Sequence, residues 1–200
     1  MKNILQINSS IYNGKGESSK LAGEFVARLR SAHPGATLTV REVAKNALPH
    51  LDEERFGAFL GKPEARTAEQ REIVRQSDEL IGELQAADAI VLALPMYNFG
   101  VPSQLKAWFD HVARAGVTFK YTDKGSVGLL TGKKAWVFAT RGGKYEGTGA
   151  DYQTSHVRQF LGFLGIDDVE FIYAEGLAMG EAPRNQGIAR ARQELLRLAA

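Results

Sequence analysis

The chain contains no cysteine, which excludes disulfides, thiolate metal sites and a cysteine nucleophile. Charge of one sign is also scarce. Its 25 lysines and arginines stand against 23 acidic residues, a formal net charge of +2, short of the clustered basic surplus a dedicated nucleic-acid binder carries. No apolar run approaches the roughly 18 residues of a membrane span. The opening segment Met1–Asn8 holds an apolar stretch too short for a secretory signal. A cytoplasmic protein without nucleic-acid or membrane partners is therefore expected. His33, His50, His111 and His156 show no ligand spacing such as H-E-x-x-H, so no metal site is expected. G-x-S-x-G is absent as well, which removes the hydrolase nucleophile elbow.

What is present is an alternation. Short apolar runs at Ile4–Ile7, Thr37–Val40, Ala89–Leu94, Lys134–Ala139 and Val169–Tyr173 read as five strands. The third is apolar throughout, so both its faces should be covered, as at the centre of a parallel sheet. Between the runs lie amphipathic helices, marked by Leu21, Phe25 and Leu29, then by Ile73, Val74, Leu80, Ile81 and Leu84. Further stripes follow at Leu105–Val112, at Val157–Leu164 and at Ile188–Leu198. Thr67-Ala68-Glu69-Gln70 has the spacing of a capping box. Such alternation predicts an α/β fold with a parallel sheet and helices on both faces. Residues 1–200 read as one domain, without repeat or linker. Two connections, about 44–66 and 116–133, are long enough to suggest a functional role.

In an open parallel sheet, ligands sit at the carboxyl ends of the strands, and three of these ends carry unusual sequence. After the first strand, Ser9–Ser19 supplies hydroxyls and glycine amides at a helix start, a setting that favours an anion. It matches neither a P-loop nor a well-placed G-x-G-x-x-G. After the third strand, Pro95–Leu105 holds Met96, Tyr97 and Phe99 between two prolines, a stiff apolar shelf suited to a flat aromatic ligand. After the fourth, Thr140-Arg141-Gly142-Gly143 lets the backbone approach a ligand closely. An amide there can stabilise negative charge arriving on a ring. A phosphate cup, a shelf and a glycine pair fit a flavin mononucleotide better than a nicotinamide dinucleotide.

At this point the sequence resembles a known family. The segments Pro95–Lys106, Arg114–Thr122 and Arg141-Gly142-Gly143 look like those of the FMN-dependent NADH-azoreductases, also called FMN-dependent NADH:quinone oxidoreductases. Phe160–Ile166 and Ala174-Glu175-Gly176 add to the match. The resemblance implies a flavodoxin-like fold, five parallel strands in the order 2-1-3-4-5, and a homodimer with flavin sites at the interface. It implies cofactor contacts from Ser10, Gly16, Glu17 and Ser18, from Met96, Tyr97, Asn98 and Phe99, and from Thr140, Arg141, Gly142 and Gly143. Tyr121 and Phe163 match positions that supply cavity aromatics from the partner subunit, beside Phe99. Phe59 and Leu60 are expected to join them, because the 44–66 connection is long enough to fold over a flavin. Some members carry Ser-Gln-Ser where this chain has Gly16-Glu17-Ser18, and serine where it has Thr140.

The implied reaction is a two-step exchange in which NADH, or NADPH in its place, gives a hydride to flavin N5 and departs. A quinone or azo compound then occupies the same place and takes the electrons. The cofactor carries the chemistry, so no protein nucleophile is expected. A flavodoxin-type FMN electron carrier, without substrate turnover, is the alternative. Near-neutral charge and the extra connection at 116–133 speak against it.

Overall fold

The computed structural model describes residues 1–198. In chain order the described strands are β1 (Asn3–Asn8), β2 (Thr37–Glu42), β3 (Ala89–Pro95), β4 (Phe119–Thr122), β5 (Gly125–Gly128), β6 (Lys134–Thr140) and β7 (Asp168–Ala174). The helices are α1 (Glu17–Ala32), α2 (Glu53–Leu60), α3 (Ala68–Ala86), α4 (Ser103–Val112), α5 (Tyr152–Phe163) and α6 (Glu181–Leu198). Five strands form a sheet in the order β2-β1-β3-β6-β7, with every neighbouring pair parallel. This is the expected order 2-1-3-4-5 once the separate β4–β5 hairpin is set aside.

Strand periodicity explains the two layers that cover the sheet. Alternate residues of β3 point to opposite faces. Ile90, Leu92 and Leu94 meet α3, α4 and α5 on one side. Ala89, Val91 and Ala93 meet α1 and α6 on the other, where Phe25 touches both Trp136 and Phe138. All of β3 is buried, as its unbroken apolar run requires, and each fully covered large side chain contributes about 1.5–3 kcal/mol. The Thr67 side chain accepts from the Gln70 amide at 3.2 Å while Gln70 reaches back to the Thr67 amide at 3.1 Å, so the capping box opens α3 as expected.

The two long connections are not bare loops. The 44–66 segment contains α2, started by the Asp52 carboxylate, which accepts from the Arg55 amide at 2.9 Å. The 116–133 segment contains the β4–β5 hairpin. Gly128 lies so close to the Leu164–Gly165 backbone at the end of α5 that a Cβ there would overlap it. A tilted contact of Phe119 with Phe163, 4.3 Å between ring centroids, also fastens the hairpin to α5.

The chain leaves β1 for β2 on one side of the sheet and returns to β3 on the other. At such a switch point the loops diverge and leave a crevice beyond the strand ends.

Candidate functional site

A cavity of about 200 Å³ opens at that crevice. From the first loop Ser10, Gly16, Glu17 and Ser18 line it; from the second, Met96 and Tyr97; from the third, Thr140, Arg141 and Gly142. Nine of the expected cofactor residues are thus brought together around one space. Tyr12, Pro95 and Leu177 complete its wall. A larger surface groove of about 850 Å³ between residues 46–55 and α3 contains none of them.

The first loop ends at Gly16, where α1 begins without a side chain to cap its amides. Ser18 Oγ is buried and has no hydrogen-bond partner among the described residues, an orphan hydroxyl beside the positive end of a helix. A Cβ on Gly16 would overlap the Ser10 side chain, so only glycine lets the chain pass this closely. Glu17 does not leave the cup negative. Its carboxylate binds Lys20 at 2.9 Å and Arg184 at 3.0 Å. The Lys20 hydrogen bond, reinforced by the charges of Lys20 and Arg184, holds it below the usual carboxylate range against the opposing pull of burial.

The second loop is a two-residue turn. Tyr97 and Gly100 exchange amide–carbonyl bonds of 3.2 and 3.0 Å, with Asn98 and Phe99 at φ +48° and +66° between them. Both central residues are left-handed, the backbone of a type I′ hairpin. For a phenylalanine that conformation costs roughly 1–2 kcal/mol, and such strain gathers where a ligand is held. Asn98 and Phe99 stand at the tip, outside the cavity wall, and the Phe99 ring meets Tyr145 edge-on at 5.8 Å. The Tyr97 hydroxyl shares a 3.4 Å hydrogen bond with Ser10 Oγ and accepts from the Ile11 amide at 3.3 Å, which ties the second loop to the first.

The third loop is zipped to the segment after β7. Leu177 donates to the Arg141 carbonyl, Ala178 to that of Gly142 and Gly176 to that of Gly143, at 2.9–3.1 Å. These carbonyls are consumed; among the described residues nothing accepts from the Gly142 or Gly143 amide. Amides of Asn98 and Phe99 are likewise free among the described residues. Two edges of unpaired N–H donors therefore flank the crevice. The Arg141 side chain turns away from this role. It is fully buried and bonded to Asp151 at 2.8 Å and Glu175 at 3.1 Å, over the ring of Tyr173.

Other expected residues lie elsewhere on this chain. Tyr121 is on the hairpin, exposed, with its ring against Phe119, and Phe163 also packs on Phe119. Leu60 is exposed at the end of α2. Phe59 is packed under the Arg114 guanidinium, 5.2 Å away, and edge-on to His111. The Phe59 ring thus stands away from this cavity, because α2 carries it onto α3 and α4. Sequence reasoning missed Asp151 and Gln153 altogether. Asp151 had a signal, since an aspartate three residues before a threonine at a helix start is a capping pattern.

The pattern of the family described as having a flavodoxin-like fold matches residues 2–199. An FMN-dependent NADH:quinone oxidoreductase from Cellvibrio japonicus is 51% identical over 98% of this chain and 97% of its own length. One from Burkholderia lata, FMN-dependent NADH:quinone oxidoreductase 6, is 53% identical over 98% of both chains. The chain belongs to the FMN-dependent NADH:quinone oxidoreductases. The chain is similar in structure to azoreductases as well. A crystal structure of an azoreductase from Bacillus anthracis strain Sterne superposes with a TM-score of 0.90 at 27% identity, over 100% of this chain and 99% of that one. An FMN-dependent NADH-azoreductase from the Ames Ancestor strain, solved in complex with FMN, gives 0.86 at 25% over the full length of both. Electron carriers lacking turnover are not favoured by these likenesses. Among the described residues no helix is long and apolar enough to cross a membrane, and no cluster of His, Asp or Glu is placed to hold a metal ion.

Proposed function

We propose that the cavity holds FMN and that this chain reduces quinones and azo compounds with NADH. The observation that carries the reading is the pairing of an orphan buried hydroxyl, Ser18 Oγ, with two flanking edges of free amides. These groups fit the cofactor. A phosphate needs hydroxyls and helix amides at one end, and a ring that gains negative charge needs N–H donors along its edge. Ser10, Gly16, Glu17 and Ser18 take the phosphate end, Glu17 through its backbone because its carboxylate is held by Lys20 and Arg184. Met96–Phe99 and Thr140–Gly143 flank the ring, Arg141 again by backbone.

FMN held there would supply two-electron chemistry between NADH and a quinone or azo acceptor, in ping-pong order. The protein orients the ring, favours its reduced form and keeps one face open. Stacking of donor and acceptor on that face requires an apolar slot, to which Phe99 contributes. Tyr121, Phe163, Phe59 and Leu60 complete the slot across a homodimer interface. The exposure of Tyr121 and Leu60 on one chain supports this reading. The chain works in the cytoplasm, as one domain spanning residues 1–200.

The test is reconstitution. Purified protein should bind FMN, turn yellow and oxidise NADH over many turnovers with a quinone and no added reductase. A colourless protein that fails to bind added FMN overturns the reading.

A further inference from the structure

The first turn of α5 touches both edges of the crevice without lining it. Gln153, 1% exposed, donates from Nε2 to the Pro95 carbonyl at 2.9 Å and to the Gly100 carbonyl at 3.0 Å. It therefore ties the end of β3 to the last residue of the turn that bears Asn98 and Phe99. Two residues earlier, Asp151 caps the helix by accepting from the Thr154 amide at 3.0 Å and binds Arg141 at 2.8 Å. Arg141 also donates to Thr154 Oγ1 at 2.8 Å. Glu175 Oε1 gathers Arg141 together with the amides of Tyr145 and Glu146, at 3.1, 2.9 and 3.0 Å. The segment 141–146 is thus fixed to the same helix end that fixes 97–100.

A fully buried arginine between two acids is poor evidence of stabilisation, since apolar packing of equal volume often does as well. What apolar packing cannot do is hold a loop at a set direction and distance, as a planar guanidinium fork does. We infer that Arg141, with Asp151 and Glu175, is a positioning residue for the ring. It sets the separation between the free amides of Asn98–Phe99 and those of Gly142–Gly143 through the first turn of α5. The guanidinium itself touches no cofactor. This rests on the FMN reading above and adds to it a group of residues behind the wall.

The experiment titrates the full-length apoprotein with FMN by flavin fluorescence. It also measures the midpoint potential of bound FMN by dye equilibration. Arg141→Lys keeps the charge and loses the fork. Asp151→Asn keeps a helix cap and loses the charged bond, so it remains informative if Arg141→Lys does not fold. Both should weaken FMN binding by about tenfold and lower its potential, because misplaced amides favour the reduced ring less. Glu194→Gln, which removes an exposed ion pair with Arg197, should change neither. Wild-type affinity and potential in the variants, with only the melting temperature reduced, would show a merely structural network and overturn the inference alone. Wild-type protein that binds no FMN would overturn the cofactor reading first and this inference with it.

Discussion

One methyl group is enough to probe the first loop. Gly16→Ala places a Cβ inside the Ser10 side chain, whereas a Cβ on Gly14 meets nothing within 4 Å. Gly16→Ala should therefore lower urea stability by about 1–3 kcal/mol and weaken FMN titration, while Gly14→Ala leaves the titration unchanged. His111 permits a second test at this scale. Its Nδ1 lies 2.8 Å from the Ala107 carbonyl, and its buried Nε2 has no partner among the described residues. Burial holds its pKa below the ordinary 6.5, so the native state binds fewer protons than the unfolded chain. That stability is whole above 6.5 and is lost as pH falls through the depressed native value. Urea midpoints measured across this window should fall with acidification in the wild type and fall less in His111→Leu. A parallel slope in both would disprove the assignment.

At the scale of elements, the β4–β5 hairpin is held by the contact of Gly128 with Gly165. Gly128→Ala must push the hairpin off α5 and carry Tyr121 with it. Melting should drop by the equivalent of about 1–3 kcal/mol. FMN affinity should hold while the KM for a quinone rises, a split visible in steady-state kinetics beside a binding titration. This hairpin was illegible in the sequence because β4 has four residues and two of the four in β5 are glycine. The eight-residue α2 escaped for a related reason: too few turns to show a stripe. By contrast, the buried run of β3 and the Thr67–Gln70 box could be read directly, since each depends on neighbours in the chain. Asn98 and Phe99 were legible as a shelf but not as a left-handed turn, which a phenylalanine gives no reason to expect. The Arg141 network joins residues 141, 151 and 175, and only the folded sheet places them side by side.

At the scale of the molecule, Leu60 and Tyr121 are large apolar side chains left at the surface. Isolated exposed side chains of this kind are ordinary, but here they coincide with positions proposed to serve a second subunit. Sedimentation equilibrium should give twice the chain mass of 21.9 kDa, and Tyr121→Lys should shift the distribution toward monomer with loss of quinone reduction. A wild-type protein sedimenting as a single chain while fully active would remove the shared slot. The order of the sheet was recoverable from the alternation of runs together with the resembling segments, whereas the crevice's depth depended on three loops meeting in space.

The crevice is edged mostly by main chain: amides at 98, 99, 142 and 143 and the start of α1. Main-chain donors are the same atoms whatever letters a lineage writes there, provided the curve of the chain survives. Evolution is then free to rewrite most of the text around such a pocket, and a likeness of 0.90 in shape at 27% in letters is the inheritance this construction allows.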